Sequence, residues 1–131
     1  MSVRVRLPVP KNNDKGSVME TTDCIFCKII ARQLPVEVVA ENDEVVVIKD
    51  IAPKAPVHYL IIPKKHIADV NSLKQADIPI VGEMLLMAKK LAKGLSGSQA
   101  FRLIINNGPD AGQSVFHLHF HFLSGKKMLD F

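Results

Sequence analysis

The residues with the clearest capacity for chemistry lie in His117-Leu118-His119-Phe120-His121-Phe122-Leu123. Three of the five histidines alternate there with apolar residues. On an extended strand the imidazoles then share one face, while Leu118, Phe120 and Phe122 enter the core. Neighbouring imidazoles on such a strand stand about 6.7 Å apart along the chain and the outer pair about 13 Å. One zinc ion, with Zn–N near ~2.1 Å, reaches two of them but not all three. Nucleophilic catalysis suits the pattern better: a neutral central imidazole, His119, attacks an electrophile while its neighbours hold its tautomer and neutralise developing charge. Imidazole also leaves phosphorus readily, which makes phosphoryl or nucleotidyl transfer the natural reaction class. The turn ending in Gly112-Gln113-Ser114 can aim N–H groups and a hydroxyl at a phosphate beside His119, although Gly and Asn are also ordinary hairpin residues.

A second constellation is Cys24-x-x-Cys27. Taken alone it reads as a zinc half-site, a redox pair or two buried residues. Two cysteines make no disulfide framework, and the N-terminus has no apolar leader with a small-residue cleavage site, so a reducing, cytoplasmic setting is expected.

These residues need a scaffold, and the chain is long enough to supply one. Its 131 residues, 47% hydrophobic and 23% charged, fit a single domain with a real core. Ile25, Phe26, Ile29 and Ile30 have the spacing of a short helix, which Pro35 ends. Val36 to Ala40 and Val45 to Lys49 read as a hairpin, and Val57 to Ile62 as a third strand closed by Pro63. Val81, Met84, Leu85, Ala88, Leu91, Ala92 and Leu95 form one stripe of a long helix that starts near Asp77 and Pro79 and stops at Gly94 or Gly97. Ala100 to Asn106 and Ser114 to Leu123 complete five strands. The expected fold class is α+β: a five-stranded antiparallel sheet, one long helix and a short N-terminal helix. Residues 1–20, with Pro8, Pro10, Asn12, Asn13 and Gly16, show no apolar periodicity and are expected to be a flexible extension.

The charge excludes several partners. Of the net +4, residues 1–20 hold +2, leaving the remaining 111 residues only +2, with one Tyr and no Trp. That is a poor basis for gripping a nucleic-acid polymer. The apolar runs are far shorter than the ~20 residues that cross a bilayer, so no membrane partner is expected.

The chain resembles the histidine triad (HIT) superfamily. His117 to Leu123 is similar to its His-φ-His-φ-His-φ-φ signature, and Gly112-Gln113-Ser114 precedes it at the family spacing. Cys24 to Ile30, Asp50-Ile51-Ala52-Pro53, Ala55-Pro56-Val57-His58, Ile62 to Ile67 and Ile105-Asn106-Asn107-Gly108 resemble successive blocks of the Hint branch. The resemblance implies a HIT domain over residues 21–131 and a homodimer that joins two sheets into ten strands. It also implies hydrolysis of purine nucleoside 5′-phosphoramidates, the AMP or GMP conjugates, through a nucleotidyl-His119 intermediate assisted by His121, His58 and Ser114.

By the same resemblance Asn106, Gly112, Gln113, Ser114, His119 and His121 lie around the phosphate, Asp50 accepts the ribose hydroxyls, and Phe26, Leu34 and Ile51 hold the purine. Structural zinc would sit on Cys24, Cys27, His66 and His117, with no organic cofactor. Histidine at 121 favours hydrolysis over the transferase branch, which carries glutamine there. The alternatives are a dinucleoside polyphosphate hydrolase, a nucleotide- or zinc-binding adaptor with little catalysis, and a metalloenzyme with zinc at the triad. The C-terminal Lys126 to Phe131 differs from the Trp-Pro-Pro-Gly tail of many Hint proteins.

Overall fold

Val45, Val46, Val47 and Ile48 form a run with no polar face, so the strand they build must be covered on both sides. A computed structural model describes residues 3–5 and 23–130 and places that strand, β3 (Val45–Lys49), inside a six-stranded sheet, with all four of these residues buried. The other strands are β1 (Val3–Val5), β2 (Val36–Glu41), β4 (Val57–Pro63), β5 (Arg102–Ile104) and β6 (Phe120–Ser124). Their order is β1-β2-β3-β4-β6-β5, and every pairing is antiparallel. The β2–β3 turn is closed by Asn42, whose Oδ1 accepts the backbone N–H groups of Glu44 at 2.8 Å and Val45 at 2.9 Å.

Two helices cover the two faces. Helix α2 (Ile78–Lys93) lays Met84, Met87, Ala88 and Ala92 on Val45, Val47, Ile61, Phe120 and Phe122. Helix α1 (Ile25–Ile30) lays Phe26 and Ile29 on Val38, Val46, Ile48, Leu60 and Ile62. Strand alternation therefore puts His58 with Leu60 and Ile62, and His121 with Leu123, on the α1 side.

The α+β antiparallel sheet with one long helix is the architecture expected from sequence, but with six strands instead of five and three further local differences. Leu85 is 51% exposed and Met87 takes its place in the buried stripe, because the helix sits on the sheet rotated from the stripe's nominal centre. Helix α1 ends at Ala31 and the left-handed Arg32 (φ 61°), where Gln33 N–H reaches Lys28 O at 2.8 Å, well before Pro35. The strand expected over Ser114 to Leu123 begins only at Phe120. Upstream the backbone bonds elsewhere: Gln113 N–H reaches Gly108 O at 3.0 Å and Leu118 N–H reaches Ile67 O at 2.6 Å. Within the stretch expected to be a flexible extension, Val3–Val5 pairs with Val36–Val38, and the rest of residues 1–20 lies outside the described residues. Among the described residues no helix is long and apolar enough to cross a membrane.

Candidate active site and metal centre

His58 on β4 and His121 on β6 lie on neighbouring strands as a diagonal pair, two residues out of register, and their rings meet on the α1 face of the sheet. The backbone N–H of Lys54 donates to His58 Nδ1 at 2.9 Å. A neutral His58 must therefore carry its proton on Nε2. That proton faces His121 Nδ1 at 2.9 Å, with Asp50 Oδ2 at 3.3 Å as a second acceptor. His121 Nδ1 is then the acceptor, and its own proton sits on Nε2. The loop that carries Lys54 thus sets two tautomers in series. Burial, followed by the charges of His119 and His58, pushes His121 down to about 4 from its ordinary 6.5, and burial lowers His58 as well. Asp50, His58 and His121 are close enough together to share a cation. A protonated His58 Nε2 has no lone pair to give, so the trio is a hydrogen-bonded relay.

His119 is held differently. Its Nδ1 donates to the backbone carbonyl of His117 at 2.7 Å, which leaves the Nε2 lone pair unshared. The ring edge packs on Phe26 (centroids 5.0 Å apart, 85° between planes) and lies 5.2 Å from the His121 ring. Burial lowers its pKa, while the His117 carbonyl and the charge of Asp50 pull the other way. A neutral imidazole with one nitrogen anchored and the other open is the form a nucleophile needs.

The loop before it is shaped by two glycines at positive φ, Gly108 (94°) and Gly112 (99°), a region an L side chain enters only under strain. The Asn106 carboxamide lies beside Gly112. Two of the N–H groups expected to face a phosphate are occupied internally: Gly112 bonds Pro109 O at 3.0 Å and Gln113 bonds Gly108 O at 3.0 Å. Among the described residues no protein group takes the Asn106 side chain, or the N–H or hydroxyl of exposed Ser114. Those are the donors left open. Gln113 is buried and its side chain is bonded to backbone on three sides, so its expected contact with substrate is not made by its amide.

Cys24, Cys27, His66 and His117 converge from α1, from the segment after β4 and from the bend before β6. Cys24 Sγ and His117 Nδ1 are 3.3 Å apart, Cys27 Sγ lies 3.2 Å from His66 Nδ1 and 3.5 Å from His117 Nδ1, and the two Nδ1 atoms are 3.2 Å apart. A tetrahedral zinc with ordinary bond lengths needs S···N edges of about 3.6 Å and N···N edges of about 3.4 Å, so the donors stand within a few tenths of an ångström of a coordination shell. The outer bonding fits too. His117 Nε2 donates to Pro63 O at 2.8 Å, turning the Nδ1 lone pair toward the sulfurs. Burial and the adjacent Cys24 push the Cys27 thiol up to about 12, so this thiol ionises only against a cation. Burial holds His117 near 4, neutral as a ligand must be. Cys24 Sγ also caps α1 by accepting Cys27 N–H at 3.3 Å.

Beside the histidines a groove of about 510 Å³ is lined by Ile25, Ile29, Leu34, Ile48, Asp50 and Ile51 among others. The size and apolar walls suit a flat aromatic base. Leu34 and Ile51, expected at the purine, do line it. Phe26 does not, being buried under His117 and His119. Asp50 bridges groove and relay: Oδ1 accepts Ala52 N–H at 2.8 Å and Oδ2 faces His58. Ile25, Ile29 and Ile48 were missed from the sequence. Ile25 and Ile29 stand one helical turn apart, which is a signal, but nothing local distinguishes a groove wall from core.

The triad residues therefore part company. Only His121 is on a strand; His117 turns into the cysteine cluster and His119 lies between the two.

Comparison with known proteins bears on this arrangement. The family model described as "Scavenger mRNA decapping enzyme C-term binding" matches residues 23–131. An uncharacterized HIT-like protein of Synechocystis is 46% identical over 104 residues, covering 79% of this chain and 91% of that one. A HIT family hydrolase from Clostridium thermocellum is 47% identical with a TM-score of 0.78, covering 82% of this chain and 95% of that one. A zinc-bound histidine triad family protein from Mycobacterium smegmatis is 29% identical with a TM-score of 0.71, covering 81% and 77%.

Proposed function

The chain belongs to the histidine triad family, and on that premise we propose that it is a Hint-type hydrolase of purine nucleoside 5′-phosphoramidates. The observation that carries the reading is the His119 Nδ1 bond to His117 O at 2.7 Å, which leaves Nε2 without a hydrogen-bond partner among the described residues. The purine enters between Leu34 and Ile51, and Asn106 and Ser114 take the phosphate oxygens. His119 Nε2 forms a bond to the α-phosphorus as the P–N bond breaks, and the electron pair leaves with the amine, which takes up a proton. The phosphorylated ring keeps its Nδ1 proton on the His117 carbonyl, so the positive charge formed there meets a dipole already in place. His121 Nε2–H, held by the relay from His58, faces the charge on the phosphoryl group. Water then cleaves the N–P bond, releasing AMP or GMP and restoring His119.

Zinc on Cys24, Cys27, His66 and His117 ties α1 to the segments flanking β4 and β6 and has no part in the transfer. The reduced thiols fit a cytoplasmic setting. A homodimer is supported by β5, which ends the sheet between exposed Phe101 and Ile105, and by exposed Leu85 and Leu86 on α2. The decapping enzyme named in the family description favours a second reading, cleavage of dinucleoside polyphosphates, which uses the same nucleophile with a nucleoside polyphosphate as the leaving group.

The test is incubation with adenosine and guanosine phosphoramidates and with Ap4A, followed by intact-protein mass measurement. A nucleotidyl adduct that disappears in His119→Ala, together with turnover of the phosphoramidates, is the expected result. Turnover surviving in His119→Ala removes the nucleophile, and preferential turnover of Ap4A replaces the first reading by the second.

A further inference from the structure

Gln113 sits in the middle of the loop that flanks the proposed phosphate site, yet it is only 5% exposed. Its Oε1 accepts Gly108 N–H at 2.7 Å, and its Nε2 donates to Ala68 O at 2.8 Å and Val115 O at 3.1 Å. The orientation of the amide is settled by these partners, because an N–H must meet oxygen and two carbonyls must meet the NH2 group. One planar head thus joins three stretches of backbone: the start of the loop at Gly108, its exit at Val115, and the segment just after His66. Its own N–H closes the loop on Gly108 O. Ser114, whose N–H and hydroxyl no described protein group takes, lies between Gln113 and the carbonyl of Val115 that Gln113 holds. The direction in which Ser114 points is therefore set from both sides by one side chain. No other residue type offers an acceptor and two donors at this reach.

We propose that Gln113 is a positioning residue, which aims the Ser114 donors at the 5′-phosphate and makes no contact with the substrate itself. The proposal rests on the nucleotide reading above. It predicts a loss confined to the phosphate. In Gln113→Met the three bonds disappear, Ser114 loses its fixed direction, and the base groove, built from α1, β2, β3 and the segments that follow α1 and β3, is untouched.

Calorimetric titration of the zinc-loaded full chain with AMP and with adenosine reads this directly. The wild type binds AMP more tightly than adenosine. Gln113→Met lowers AMP affinity by about ten-fold or more and changes adenosine affinity less than about two-fold. A general destabilisation would weaken both ligands alike, and an unchanged AMP-to-adenosine ratio overturns the proposal. If Gln113→Met does not fold, Gln113→Asn carries the same titration, since it keeps a neutral amide that falls one methylene short of Gly108, Ala68 and Val115. Wild-type affinities that are equal for AMP and adenosine overturn the nucleotide reading, and the proposal with it. As an independent check, the Gln113 Nε2 protons exchange with solvent as slowly as core amides; fast exchange overturns the clamp whatever the variants do.

Discussion

Replacing Cys24 by serine isolates what the proposed zinc does for the fold. On the proposed zinc reading Cys24 would have two roles: its sulfur would be a metal donor, and it caps α1 by accepting Cys27 N–H. Serine is among the best N-cap residues, so Cys24→Ser keeps the cap and removes a thiolate. The stakes follow from the chain lengths the site closes. Cys27 and His66 are 39 residues apart, and His66 and His117 are 51 apart. Constraining an unfolded chain over either span is worth about 4 kcal/mol at 25 °C in the chain-entropy treatment of cross-links. The two closures share His66 and do not add in full, so one of them, about 4 kcal/mol, is the conservative figure. For a domain of about 110 residues the unfolding entropy is about 0.23 kcal/mol/K, which converts that figure to roughly 15 °C or more. Differential scanning calorimetry of the zinc-loaded chain, with and without a strong chelator, reads the shift. The chelator lowers the wild-type Tm by this amount, and Cys24→Ser starts near the lower value and responds weakly to zinc or chelator. A wild-type shift below roughly 3 °C, or an equal shift in Cys24→Ser, refutes a site that cross-links α1 to the sheet.

Two further predictions follow from the site and the surface. Burial lowers His58, His119 and His121 from 6.5, the last to about 4, so the neutral imidazoles persist in the fold after free imidazole would have charged. The stability they contribute is full above 6.5 and is lost as pH falls from there toward about 4. The acid limb of kcat/KM lies below 6.5, and an acid limb centred at or above 6.5 in folded protein refutes the neutral relay. Leu86→Asp places a charge on the exposed α2 surface and shifts sedimentation from dimer to monomer mass; a wild type that is already monomeric refutes the proposed interface.

Much of the scaffold was legible because its signals are local. The β-branched run Val45 to Lys49 reads as a strand, and the stripe from Val81 to Leu95 as a helix seated on a sheet. The alternating histidines were legible for the same reason, as was the nearness in sequence of His119 to a glycine-bearing loop. The Cys24/Cys27 pair alone left a zinc half-site, a redox pair and two buried residues open, and His66 and His117 were joined to it only by the family resemblance; the fold brings the four side chains together.

What each histidine does was decided by partners far along the chain. Alternation predicts a shared face, but it assumes a continuous ladder. The bonds of Gln113 to Gly108 and of Leu118 to Ile67 break that ladder, so His117 rotates to the cysteines and His119 hangs from His117's own carbonyl. Lys54 sets the tautomers of His58 and His121 through a backbone N–H, a group every residue but proline carries and no side-chain pattern reveals. Gln113 reads as a loop residue in sequence and is a buried clamp in the fold. Periodicity records which side of an element a residue faces; hydrogen-bond direction and ring orientation depend on which segments fold against it, and those are set in three dimensions.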